Sequence, residues 1–225
     1  MLWYRRDSAS RDRIRVNYVT NREKVPESKG QMEATDLAAV ERTRAGDTAA
    51  FRVLVERYGR SVFRLAFRMT ANEFDAEDVV QETFLRAYKQ LDSYESRSSF
   101  STWLYRIAAN YSLDLIRSRK RHASRRALES TEGEDVLESI KATDPSQDRI
   151  YYSTQVKQRL EAALALLTDQ ERTAFLLRHF EGKSIEEIGA ILDLGVSATK
   201  NSIFRAVRKV REALEPVVSS YEAAP

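Results

Sequence analysis

Apolar residues recur at helical spacing in two separate blocks of this chain, and the stretch between the blocks has no period. In the first block Phe51, Leu54, Val55, Tyr58 and Val62 fall at i, i+3, i+4, i+7 and i+11, the stripe of an amphipathic helix. Val80, Phe84, Ala87 and Tyr88 mark another helix over about 75–90. Phe100, Trp103, Leu104, Ile107, Ala108, Tyr111 and Leu115 mark a longer one from about Phe100 to Arg119. This pattern starts near Thr35 and fades near Arg121, and three or four such helices make a bundle. The second block opens near Ser153, with Val156, Leu160, Ala163, Leu164 and Leu167 on one stripe. Only seven glycines and four prolines occur in 225 residues, so turns are few and helix is favoured. The expected fold is all-α, with two small helical domains.

Two capping boxes fix helix starts in the second block. Thr168-Asp-Gln-Glu171 and Ser184-Ile-Glu-Glu187 each pair a hydroxyl with a glutamate three residues on, so that both satisfy orphan amides. The helix from 184 packs Ile185, Ile188 and Leu192 and breaks at Asp193-Leu194-Gly195. A last helix follows from about Val196 to Leu214, burying Ile203, Ala206, Val207 and Val210. A short helix, a three-residue break and a longer basic helix form a helix-turn-helix signature.

The organisation then reads as a polar basic arm (1–32), a helical domain (33–122), a linker (123–153), a second helical domain (154–215) and a tail (216–225). Seven acids against four bases in the linker keep it extended by self-repulsion.

Composition excludes several chemistries. Without cysteine there are no disulfides, iron–sulfur clusters, thiolate zinc sites or cysteine nucleophiles, and a reducing cytoplasm fits best. Two histidines and no Gly-rich phosphate loop leave no metal, no cofactor and no catalytic constellation to name. No apolar run approaches the ~18 residues of a membrane span, so no membrane insertion is expected. The basic N-terminus has no apolar stretch behind it, unlike a secretory signal.

A net charge of +3 conceals two basic clusters. Arg117, Arg119, Lys120, Arg121, Arg125 and Arg126 precede any acid before Glu129; Lys200, Arg205, Arg208, Lys209 and Arg211 precede Glu212. Each closes a helical block, which fits contact with a polyanion better than two solvated faces. Lys200, Asn201, Phe204, Arg205 and Arg208 line much of one side of the second helix of the helix-turn-helix, the element that enters a major groove. Arg and Lys suit guanine or phosphate there, and Asn suits adenine. On the 75–88 helix, Asp78, Gln81, Glu82 and Leu85 share a face opposite the apolar side, the pattern of a helix that docks on a partner. Ser98–Asn110 interleaves aromatics with hydroxyls before the first basic cluster. Such platforms suit unstacked bases, although Phe100 and Trp103 also fit the core stripe.

These motifs resemble the extracytoplasmic-function group of bacterial sigma factors, in the sigma-70 family. The matching stretches are DAEDVVQETFLRAY (75–88), SSFSTWLYRIAAN (98–110) with its basic end, LTDQERTAFLLRHFEGKSIEEIGAILDLG (167–195) and IFRAVRKVREAL (203–214). The resemblance implies core RNA polymerase (β′ clamp and β subunit) and promoter DNA as partners, with an anti-sigma factor as regulator and no enzymatic activity. It implies docking on the clamp through Asp78, Gln81, Glu82 and Leu85. It implies −10 melting and reading by Tyr94, Arg97, Ser98, Ser99, Phe100, Trp103, Arg106 and Asn110 with Arg117, Arg119, Lys120 and Arg121. It implies −35 reading by Ser197, Thr199, Lys200, Asn201, Phe204, Arg205, Arg208 and Lys209. The chain departs from the common pattern at Asp193-Leu194-Gly195, Ser202 and Val207. On the residues alone, a helix-turn-helix regulator acting without polymerase, or a helical interaction protein, would share these features.

Overall fold

The computed structural model describes residues 29–129, 159–160 and 162–222. Helices α1 (Lys29–Arg44), α2 (Thr48–Thr70), α3 (Glu73–Lys89) and α4 (Phe100–Glu129) form a first group, with a 3-10 turn at Leu91–Ser93 ahead of α4. Helical residues 162–165, α5 (Asp169–His179), α6 (Ile185–Leu192) and α7 (Val196–Glu222) form a second. Among the described residues there is no strand.

Side-chain caps set the boundaries. The Asp47 carboxylate accepts from the Ala49 and Ala50 amides (3.1 and 3.3 Å) at the start of α2, and Asn72 accepts from Asp75 (3.0 Å) at the start of α3. Both capping boxes form: Thr168 with Glu171 begins α5, and Ser184 with Glu187 begins α6. Each such cap contributes about 0.5–2 kcal/mol. Between α6 and α7 the chain turns through Asp193 in the left-handed region (φ 57°), and the Leu194 amide donates to Gly189 (2.9 Å). Gly189 is obligatory here, since a Cβ would lie 2.7 Å from the Leu194 carbonyl oxygen and 3.3 Å from Thr199 Oγ1.

The first core collects Val40, Leu54, Val62, Ala66, Val79, Phe84, Phe100, Leu104 and Ala108 from all four helices. A second core is built jointly. Leu65 and Met69 of α2 and Tyr105, Ala109 and Leu113 of α4 pack with Leu164, Leu167, Phe175, Leu176, Ile188, Ile191, Ala206 and Val210 of the second group. Polar contacts rim this seam. The Glu181 carboxylate, on the α5–α6 loop, accepts from Tyr105 (2.8 Å) and Arg68 (3.3 Å) and faces Arg64 at 3.8 Å. Burial and the neighbouring Glu181 charge push the Tyr105 hydroxyl up, so it remains a donor at neutral pH. Lys183 donates to Ser101 (2.8 Å), Arg172 donates to the Met69 carbonyl (3.2 Å), and Asp169 faces Lys120 and Arg117 at 3.4 and 3.6 Å.

Several boundaries differ from those the periodicity predicts. Helix α1 begins at Lys29 rather than Thr35, which makes residues 29–32 of the expected arm helical; residues 1–28 lie outside the described part. Helix α4 continues to Glu129, so residues 123–129 are helix rather than linker. Helix α7 passes Leu214 and runs through the expected tail to Glu222. For α1 and α4 the reason is propagation: once a helix exists, each good helix former such as Ala, Arg, Leu or Glu adds a hydrogen bond without needing an apolar partner, whereas α7 continues through Pro216, Val217, Val218, Ser219 and Ser220, which propensity does not favour. Residues 130–153 of the expected linker, and the expected helix start near Ser153, lie outside the described residues.

Candidate polymerase and nucleic-acid interfaces

Helix α3 buries Ala76, Val79, Val80, Thr83, Phe84 and Ala87 and turns Asp78 and Leu85 to solvent, with Gln81 and Glu82 half-buried beside them. Glu82 is held by Arg86 at 2.6 Å. Two further large apolar side chains extend the exposed row by a turn at each end, Phe74 (57% exposed) and Tyr88 (44%). Their i−4 and i+3 offsets from Asp78 and Leu85 were the available sequence signal. At the base of α3, Asp75 is buried and paired with Arg119. Burial pushes its carboxyl up against the pull of that guanidinium, and one oxygen has no hydrogen-bond partner.

The loop before α4 and α4 itself carry the second surface. Tyr94 and Phe100 are interior residues, 6% and 2% exposed, packed edge-on at 5.8 Å, with Trp103 completing the cluster at 5.2 and 5.7 Å. Neither Tyr94 nor Phe100 presents a ring to a base in this structure. Both fall at core positions because the loop is pinned inward: Arg44 donates to the Leu91 and Tyr94 carbonyls, and the Tyr94 hydroxyl donates to Ser98 (2.8 Å). Trp103 is half-buried. Arg97 is exposed beside Glu95 (2.6 Å), Ser98 is half-buried, and Ser99 bonds Thr102 (2.9 Å) at the helix start. Along α4, Trp103, Arg106, Asn110, Arg117 and Arg121 follow one stripe, and the last four are exposed. Arg119 and Lys120 leave it, engaged by Asp75 and Asp169.

On α7 the exposed face comprises Ser197, Lys200, Asn201, Phe204, Arg205 and Arg208; Phe204 is 67% exposed. Thr199 is fully buried instead, its hydroxyl donating to Gly195 (3.0 Å) beside Gly189 of α6. Lys209 is half-buried and its ammonium lies 2.8 Å from Glu171. Gln170 donates to Ser202 (2.7 Å), a second tie between α5 and α7. Burial disfavours the Glu171 charge, but Lys209 and the Thr168 amide outweigh it and hold the carboxyl below its ordinary range.

Among the described residues no group of three His, Asp or Glu could hold a metal ion, and no helix is long and apolar enough to cross a membrane. A short helix, a left-handed turn and a cationic second helix with six exposed polar or aromatic side chains define a DNA-binding protein of the helix-turn-helix class.

Residues 54–122 match Sigma-70 region 2, and residues 157–210 match Sigma-70, region 4. The ECF RNA polymerase sigma factor SigW of Bacillus subtilis (strain 168) is 33% identical over 184 residues, 81% of this chain and 98% of that protein. The ECF RNA polymerase sigma-E factor of Escherichia coli (strain K12) is 34% identical over 187 residues, covering 83% and 97%. In structure the chain is similar to CnrH in its complex with the cytosolic domain of CnrY, at TM-score 0.59 and 25% identity over 82% of this chain and 97% of that one. It shares a fold with the sigma factor RpoE solved with the anti-sigma factor NepR from Bartonella quintana (TM-score 0.58, 24% identity, 73% and 96% covered). The chain belongs to the sigma-70 family, in its ECF group. It is a sigma factor that binds core RNA polymerase and directs promoter-specific transcription initiation.

Proposed function

We propose that the two helical groups divide the promoter between them, 33–122 taking core polymerase and the −10 element and 154–215 the −35 element. The observation that carries this reading is one chain exposing both an acid–amide–leucine row on α3 and a cationic reading face on α7. Asp78, Gln81, Glu82 and Leu85 dock on the β′ clamp. Trp103, Arg106, Asn110, Arg117 and Arg121 follow the opening strand, with Arg97, Ser98 and Ser99 on the loop above. Tyr94 and Phe100 brace Trp103 from beneath. Base stacking worth about 1–3 kcal/mol per base offsets an unpairing cost of a few kcal/mol. Lys200, Asn201, Phe204, Arg205 and Arg208 read the −35 duplex, with Ser197 at the helix start, while Thr199 and Lys209 fix the helix in place.

The acidic stretch 130–153 follows polymerase's basic nucleic-acid channel and touches the β subunit. Polymerase performs the chemistry, the chain itself is no enzyme, and its place is the cytoplasm. An anti-sigma factor restrains it, as the complex named for the similar RpoE structure suggests by analogy.

Run-off transcription with core polymerase on fragmented genomic DNA, with start sites mapped, tests the reading. Starts sharing paired −35 and −10 sequences support it, and a silent reaction defeats it. Core polymerase retained at wild-type strength by an Asp78→Ala, Glu82→Ala chain would remove the docking assignment alone.

A further inference from the structure

One guanidinium bridges α1 and the loop that precedes α4. Arg44, the last residue of α1, lies ahead of residues 54–122 that match Sigma-70 region 2, yet its fork is turned on that loop's backbone. Its Nε and Nη2 donate to the Leu91 carbonyl (3.2 and 2.7 Å), and Nη2 also donates to the carbonyls of Asp92 (3.4 Å) and Tyr94. The 3-10 turn at Leu91–Ser93 ends here, and carbonyls at a helix end find no partner within the helix. A planar arginine with five donors serves several such acceptors at once, where a lysine ammonium acts as a point. The Asp92 carboxylate, by contrast, stands 4.0 Å away and 95% exposed, so the tie is to backbone rather than to charge.

The tie holds residues that support the reading surface. Tyr94, immediately past the turn, is buried; its ring lies 5.2 Å from that of Trp103, and its hydroxyl donates to the Ser98 carbonyl (2.8 Å). Between these two anchors Ser96 sits in the left-handed region (φ 56°), which a serine keeps only where the surrounding structure over-determines it. The loop is thus closed at both ends, by Arg44 before Ser96 and by Tyr94 on Ser98 after it. Arg97, Ser98 and Ser99 follow from that fixed turn into the start of α4.

We propose that Arg44 is a positioning residue for −10 recognition: through the Leu91, Asp92 and Tyr94 carbonyls it holds the loop, and through Tyr94 the Trp103 ring, in the geometry that receives an unstacked base. The inference rests on the assignment of this surface to the −10 element proposed above. Arg44 itself touches no DNA; it raises the fraction of chains whose loop is already formed when the strand opens. Apparent affinity is the intrinsic affinity scaled by that fraction, so a loop correctly set ~10% of the time binds about tenfold more weakly. The docking row on α3 and the reading face on α7 share no residue with this tie, which confines the effect to the −10 strand.

The test uses holoenzyme formed from core polymerase and the wild-type or variant chain. Binding of a labelled single-stranded −10 oligonucleotide, taken from the mapped starts, is read by anisotropy at several salt concentrations. Arg44→Ala should weaken binding about tenfold with the salt slope unchanged, since no phosphate contact is lost. Arg44→Lys keeps the charge but not the fork, and should leave most of that loss in place; it also serves where Arg44→Ala does not fold. Core-polymerase affinity and −35 duplex binding should stay at wild-type strength. In a double-mutant cycle, Arg44→Ala should cost much less in a Trp103→Ala chain, because much of its effect passes through that ring. Undiminished −10 binding by Arg44→Ala, full recovery by Arg44→Lys, or a slope reduced by about 0.7 would each overturn the proposal. So would losses that add to those of Trp103→Ala, or −35 and polymerase binding lost along with −10 binding. A wild-type holoenzyme that does not prefer this strand over a scrambled one removes the −10 assignment itself, whereas a preference that Arg44→Ala keeps in full removes Arg44 alone.

Discussion

The Lys209 ammonium lies 2.8 Å from Glu171 Oε2, the same oxygen that accepts the Thr168 amide at 3.1 Å, so one buried carboxylate both caps α5 and anchors α7. Glu171→Gln keeps an acceptor for the cap but loses the charge. Hydrogen bonds to charged groups contribute about 1.5–3 kcal/mol, so urea denaturation should show a loss of about that size. Binding to a −35 duplex should weaken as well, because α7 is no longer tied to α5.

The same pair gives an acid signature. Glu171 titrates below its ordinary 4.5 in the folded chain, because Lys209 and the Thr168 amide outweigh its burial. Its ionic contribution is therefore complete above pH 4.5 and is lost as pH falls through the lower folded value. The stability difference between wild type and Glu171→Gln should be constant above pH 4.5 and shrink below it. A difference that widens in acid would contradict the assignment.

Arg205 stands exposed in the middle of the α7 face. If it pairs with a phosphate, Arg205→Ala should weaken all sequences alike and reduce the slope of log affinity against log salt by about 0.9. If it reads a base, selectivity at one −35 position should relax with little change in slope. Titrations of matched and single-substituted duplexes at several salt concentrations distinguish the two.

Gly189 leaves no room for a methyl group beside the Leu194 carbonyl. Overpacking of this kind typically costs about 1–3 kcal/mol, and here it would force α6 away from α7. Thermal melting of Gly189→Ala should fall accordingly, with −35 binding lost before helix content.

Phe100 and Trp103 should part company under substitution. Phe100→Ala empties a fully buried site and should cost about 3–5 kcal/mol of stability. Trp103→Ala removes a half-buried ring and should mainly reduce binding to single-stranded −10 DNA, measured by fluorescence anisotropy. Equal melting losses with unchanged DNA binding would make Trp103 purely structural.

Much of this was legible in the chain. The capping boxes at Thr168 and Ser184 place α5 and α6 to the residue, because a hydroxyl and a glutamate three apart encode the start locally. The α3 row was legible because Asp78 and Leu85 sit opposite a continuous apolar stripe. Tyr94, Phe100 and Thr199 were harder, since an aromatic or hydroxyl residue suits a base and a core equally well until Arg44 and Gly195 are seen to hold those segments inward. The seam was not legible at all. Leu65, Met69, Tyr105 and Leu113 continue stripes that a single bundle already explains, and only tertiary packing reveals that they face a second set of helices.

Helix α4 outruns its own packing. Among the described side chains Ile116 is its last in either core and Arg119 and Lys120 tie it to Asp75 and Asp169, and the helix continues to Glu129, roughly 14 Å beyond Lys120 at ~1.5 Å per residue. The following chain is thus moored to the tip of a stiff outrigger rather than to the body of the bundle. That offset, as much as the number of residues that follow, sets the effective concentration at which the −35 reader meets DNA already gripped upstream of the start site.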